Sequence, residues 1–124
     1  MDEAVRFAGI ADNLGKIVAY EYREGLAPLM TIQESEMSVI QSVIRMGLRR
    51  MHEEKLGRTL YAVAAYEKVK RATIPLADGS FLMISFDIPS DHESIILRRV
   101  LPLIKEKGLF DGDTTRYMPT MEAK

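Results

Sequence analysis

The chain has 124 residues, a net charge of -1, 47% hydrophobic and 28% charged residues, and no cysteine. That length fits one domain around one core, and the near-neutral balance argues against a general nucleic-acid binder. Without cysteine there is no disulfide framework and no thiolate chemistry, as suits an intracellular compartment. No apolar run approaches the roughly 20 residues that span a bilayer, and the acidic start MDEAVRF lacks a signal peptide's basic and apolar regions. The expected location is therefore cytoplasmic, with no membrane span.

Residues Ala4 to Ala11 and Lys16 to Tyr22 read as two strands, joined by Asp12-Asn13-Leu14-Gly15, where Asn and Gly tolerate the positive φ of a tight hairpin loop. Gly25 and Pro28 interrupt the link that follows. Thr31-Ile32-Gln33-Glu34 is a capping box that opens a helix from about Ile32 to about Lys55. Met37, Ile40, Ile44, Leu48 and Met51 recur at three- and four-residue spacing and form its apolar stripe, which Val39, Val43 and Met46 widen. Gly47 sits inside that face at a cost of about 1 kcal/mol relative to alanine, so either the helix lies very close to the sheet or another helix approaches it.

Gly57 to Asp87 reads as a three-strand antiparallel meander: Arg58 to Tyr66, Val69 to Ala77 and Ser80 to Ile88. Glu67-Lys68 and Asp78-Gly79 supply the turns, and Pro75, which has no amide hydrogen, belongs at a strand end or bulge. Phe81-Leu82-Met83-Ile84 is apolar without alternation, as in a central strand covered on both faces. A last helix opens with Ser90 as cap and Glu93 as its partner. It buries Ile95, Ile96, Val100, Leu103 and Ile104, is kinked or shortened by Pro102, and stops at Gly108. The expected domain covers residues 1–108, and 109–124 form a loop-like tail anchored through Leu109, Phe110 or Tyr117.

Strand, strand, helix, three strands, helix is an α/β (α+β) arrangement. Hairpins fix two groups of neighbours, and pairing strand one with strand five joins them in one five-stranded antiparallel sheet of order 2-1-5-4-3. Strands two and three are then the edges. The second carries Lys16, Glu21 and Arg23, whereas Thr59 to Tyr66 of the third carries no charge, and a long apolar edge of that kind is normally covered or paired. Two covers are open: the carboxyl-terminal tail, or a second copy of the chain in a symmetric homodimer. In the homodimer Leu60, Tyr61, Ala62, Val63, Ala64 and Ala65 pair across the twofold axis, and the long helix meets its copy near Gly47 and Met51.

The segment Gly9-Ile10-Ala11-Asp12-Asn13-Leu14-Gly15-Lys16-Ile17-Val18-Ala19, followed by a long helix and a three-strand meander, resembles the Roadblock/dynein light-chain superfamily and its profilin-like relatives. It is closer still to an uncharacterised archaeal family with segments like LGRTLYAVAAYEKVKRATIP, which here runs from Leu56 to Pro75. Only Met1 to Glu3 precede the first hairpin, where Roadblock domains usually carry a helix. The resemblance implies homodimerisation through the third strand and the long helix, and regulation or scaffolding of small GTPases; it does not imply an enzyme or a cofactor.

His52 and His92 stand apart and lack the convergent ligands of a metal site. Asp111-Gly112-Asp113 lacks the length and terminal glutamate of an EF-hand loop. No serine has a histidine at a spacing that marks a nucleophile. The basic group Arg45, Arg49, Arg50 and Arg58, with Lys68, Lys70 and Arg71 on the meander, is the most functional-looking charge feature, able to steer an acidic partner surface or to remain a solvated face. The sequence therefore supports a non-catalytic homodimeric interaction module, with a PAS-type small-molecule sensor as the alternative. A sensor needs an enclosed pocket, for which Tyr20, Tyr22, Tyr61 and Tyr66 are candidate lining.

Overall fold

The structure, a computed structural model, describes residues 3–117. Strands β1 (Val5–Ala11), β2 (Ile17–Tyr22), β3 (Ala62–Ala65), β4 (Lys70–Pro75) and β5 (Phe81–Phe86) form one antiparallel sheet of order β2-β1-β5-β4-β3, the order expected from connectivity. Pro75 ends β4 opposite Phe81, where its missing amide leaves the ladder intact. In the β1–β2 loop the Asp12 carboxylate accepts from the amides of Leu14 and Lys16, and Gly15 takes φ +90°. The segment 118–124, including Pro119 of the expected tail, lies outside the described residues.

Strand alternation gives the sheet two unequal faces. One carries Ile74, Ile84 and Phe86 and is covered by the carboxyl-terminal helix through Ile96, Leu97, Leu101 and Ile104; this is the main core. Burying each such side chain contributes roughly 1.5–3 kcal/mol. The other face mixes Gly9, Arg71, Thr73 and Ser85 with Phe7, Ala11, Phe81 and Met83, and Tyr20, Tyr22, Ala62 and Ala64 extend it on the edge strands. Helix α1 (Ile32–Arg49) lies on that side, seated on a small cluster in which Val39 meets Ala11 and Met83.

The seating of α1 departs from the expected stripe. Val39, Ser42 and Met46 are its buried residues, while Met37, Ile40, Ile44, Leu48 and Met51 are 41–76% exposed. Most of the stripe thus turns outward, and the helix meets the mixed polar and apolar face beneath it through Val39, Ser42 and Met46. A Cβ at Gly47 would meet nothing within 4 Å, so close packing on the sheet is not the reason for this glycine. The capping box is present: Thr31 Oγ1 accepts from the Glu34 amide at 3.1 Å, and Glu34 accepts from the Thr31 amide at 2.9 Å. The helix does not continue unbroken to Lys55. It tightens at Arg50–His52 and resumes as α2 (Glu53–Leu56), ending at Gly57 with φ +86°.

The third strand is shorter than expected, Ala62–Ala65 in place of Arg58 to Tyr66, because residues 58–61 are engaged elsewhere. Arg58 pairs with Asp111 at 2.7 Å, the Thr59 amide donates to Glu53 Oε2 at 2.9 Å, and Leu60 lies against Gly112. Tyr61 packs on the main core with Leu109 and Phe110. The segment after Gly108 thus holds the approach to β3 and leaves the strand itself at the sheet edge.

Two further differences concern the last helix. Its cap is Asp91, whose carboxylate accepts from the Ser94 amide at 3.1 Å; the Ser90 hydroxyl donates to the Asp87 carbonyl instead. The helix runs as α3 (His92–Ile95), a wide π turn (Ile96–Val100) and α4 (Leu101–Glu106). Pro102 cannot donate to a carbonyl one turn back, and the ladder widens just ahead of it. That slip brings Leu97 and Leu101 inward and leaves Leu103 53% exposed, against the expectation that Leu103 is buried.

Candidate functional site

Three features that the core does not use meet on the α1 side of the sheet. The first is the outward apolar face of α1. The second is β3, which pairs with β4 on one side and, among the described residues, with nothing on the other. The third is a half-open cleft of about 160 Å³ between them, bounded by Ser42, Arg45 and Arg49 of α1, by Ala62 and Ala64 of β3, and by Arg71 and Thr73 of β4.

The four arginines expected to form one patch do not act together. Arg45 and Arg49, one turn apart, line the cleft, and their guanidinium groups donate to Ser42 Oγ at 3.2 Å and Met46 Sδ at 3.3 Å. Arg50 sits over the Phe81 ring at 5.9 Å, a cation–π contact that pins the end of α1 to β5. Arg58 is tied to Asp111. Of the expected interface residues, Gly47 and Met51 lie exposed on α1 and its continuation, and Ala62 to Ala65 form the open edge. Leu60 and Tyr61 find their packing inside the protomer.

The tyrosines expected as pocket lining are also divided. Tyr22 and Tyr66 reach the cleft, Tyr20 joins a ring cluster with Phe7 and Tyr22, and Tyr61 turns to the opposite face. Burial raises the Tyr61 phenol above its ordinary value and keeps it neutral. The Thr59 amide holds the Glu53 carboxyl below the ordinary carboxylate range. Asp87, after β5, is held low by hydrogen bonds from Arg23 first and Arg6 second, and so joins the ends of β1, β2 and β5.

Arg71, grouped with the helix arginines from the sequence, does line the cleft, whereas sequence reasoning did not place Thr73 and Ser85 there. The signal was available in the register: Arg71 pairs with Ser85 and Thr73 with Met83, so all four fall on one face. Among the described residues, no helix is long and apolar enough to cross a membrane.

No family model and no curated protein matches the chain. Solved structures do match its fold. The gliding protein MglB of Thermus thermophilus aligns with a TM-score of 0.63 at 16% identity, over 83% of this chain and 79% of its own. An MglB with a tetrameric arrangement gives 0.63 at 18% identity over 85% and 80%. A Roadblock/LC7 domain from Streptomyces avermitilis gives 0.62 at 13% identity over 83% and 82%. At these identities the likeness is one of fold: a single sheet of order 2-1-5-4-3 flanked by helices, in the manner of Roadblock/LC7 domains.

Proposed function

We propose that this chain is a non-catalytic regulatory module that pairs with a second copy of itself and presents the joint surface to a signalling protein of the small-GTPase class. The observation that carries the reading is the outward apolar face of α1 and its continuation: Met37, Ile44, Leu48 and Met51 are each more than half exposed, beside a strand whose outer edge is unpaired among the described residues. Apolar area of this kind on a helix that the sheet does not need is characteristic of an association surface. In the proposed homodimer the Ala62–Ala65 edges pair across a twofold axis, and the two α1 helices meet through the stripe near Gly47 and Met51. The tetrameric arrangement of one MglB is in keeping with self-association on this fold. The proposed tie to small GTPases, and the closeness to an archaeal family, rest on the sequence resemblance.

Sedimentation equilibrium tests the pairing. The wild-type chain is expected to be dimeric at tens of micromolar, and Ile44→Glu/Leu48→Glu, which alters only exposed positions, is expected to be a folded monomer. A monomeric wild-type chain would overturn the reading.

A further inference from the structure

The cleft beside α1 has a charge character opposite to that of the chain as a whole. Among the described residues its lining includes Arg6, Arg45, Arg49 and Arg71 and no carboxylate, in a protein with a net charge of -1. Arg6 shares the Asp87 carboxylate with Arg23, at 3.2 Å and 2.6 Å. The other three have no ion-pair partner among the described residues: the Arg45 and Arg49 head groups meet only a hydroxyl and a thioether, and the Arg71 guanidinium has no hydrogen-bond partner.

The placement of the three also matters. Arg45 and Arg49 are one helical turn apart, so their side chains run side by side from one wall. Arg71 comes from the opposite wall, where the register sets it next to Ser85 and Ala64. The hydroxyls of Ser42 and Thr73 share the lining, and Phe7, Leu29 and Met83 supply apolar surface. Like charges that converge without a counterion repel one another, and an anion between them turns that repulsion into attraction. A guanidinium fork matches the oxygens of a carboxylate or phosphoryl group two at a time. A cleft of about 160 Å³ falls below the roughly 300–1,000 Å³ typical of pockets for drug-sized ligands, so its occupant is small.

We propose that this cleft binds a small organic anion, with a carboxylate or phosphoryl head held by Arg45, Arg49 and Arg71 and a short acyl or aromatic body against Phe7, Leu29 and Met83. Every residue named for the site belongs to one protomer, but the cleft lies between α1 and the Ala62–Ala65 edge through which self-association is proposed, so the Ile44→Glu/Leu48→Glu chain is titrated beside wild type to separate the two proposals. Because the head group is gripped from both walls, binding ties α1 to a sheet face on which its own apolar seat is small.

Isothermal titration calorimetry of the full chain at low salt, with phenyl phosphate, hexanoate and inorganic phosphate as separate probes, tests this. Phenyl phosphate or hexanoate is expected to bind at one site per protomer with a Kd below about 1 mM. Inorganic phosphate, lacking the apolar body, is expected to bind roughly tenfold or more weakly. Arg45→Ala/Arg49→Ala, at exposed positions that leave folding intact, is expected to weaken binding at least about tenfold, as is Arg71→Ala. Arg71→Lys should fall between, and Arg98→Ala, an exposed change on the terminal helix, should bind as wild type does. The proposal is overturned if neither organic probe binds below about 1 mM, or if Arg45→Ala/Arg49→Ala binds the better probe as tightly as wild type.

Discussion

Replacing Gly15 by alanine tests how α1 is held to the sheet. Gly15 lies at the β1–β2 turn with φ +90°, a left-handed conformation that costs a residue with a Cβ about 1–2 kcal/mol. A Cβ there would also lie 2.9 Å from Ile40 Cγ1 and 3.2 Å from Ile40 Cα. The first contact can be relieved by a rotamer change, but the second is with backbone, so the helix itself must move. Such overpacking adds about 1–3 kcal/mol, since Val39, the neighbour that seats α1 on the sheet, moves with it. Gly79 is the matched control: its φ is +89°, and a Cβ there meets nothing within 4 Å. Gly→Ala also reduces the entropy of the unfolded chain, by about 0.4–1 kcal/mol, but it does so at both sites and cancels in the comparison. Urea unfolding should therefore show Gly15→Ala to be less stable than Gly79→Ala by about 1 kcal/mol or more. Equal losses at the two positions would refute the contact between hairpin and helix.

Two other outcomes follow from the opposite face and from the charge clamp at its end. Leu101→Ala should cost about 2–5 kcal/mol as a core deletion and Leu103→Ala less than about 0.5 kcal/mol, a contrast that equilibrium denaturation resolves and that reverses if the π turn is absent. Asp87, held below its ordinary value of about 3.8 by Arg23 and Arg6, is ionised in the folded state down to a lower pH than in the unfolded one. Its contribution is present above the ordinary value and lost as the pH falls through the depressed folded value. Asp87→Asn should accordingly lower the urea midpoint at neutral pH, and its difference from wild type should vanish once the pH is taken well below the ordinary carboxylate range.

The sheet order could be read from the sequence because its determinants are local: Asp12-Asn13-Leu14-Gly15 and Asp78-Gly79 each fix a hairpin, and the unbroken apolar run Phe81 to Ile84 fixes the central strand. The start of β3 could not, because it is set by a group distant in sequence: Arg58 is drawn out of β3 by Asp111, 53 residues away. The passage of the cap from Ser90 to Asp91 is local, since the Asp87 carbonyl accepts from the Ser90 hydroxyl, a competing bond that the capping-box pattern does not register. The cleft was hidden because long-range pairing builds it: Thr73 and Ser85 join the arginines in one site only after the register places β4 and β5 under α1.

The apolar periodicity of α1 reports that one side of the helix is unlike the other, and it cannot report which side meets its own sheet. A stripe through Met37, Ile40, Ile44, Leu48 and Met51 would ordinarily be assigned inward. The sheet face beneath mixes Gly9, Arg71, Thr73 and Ser85 with Phe7, Phe81 and Met83, and α1 meets it through Val39, Ser42 and Met46. Turning the stripe inward would set part of it over Arg71, Thr73 and Ser85 and expose Val39 and Met46 in exchange. The outward orientation leaves unburied the apolar area on which the proposed self-association depends. Gly47 fits the same account, since open space above its Cα leaves room for a second helix backbone to approach without a side chain between them.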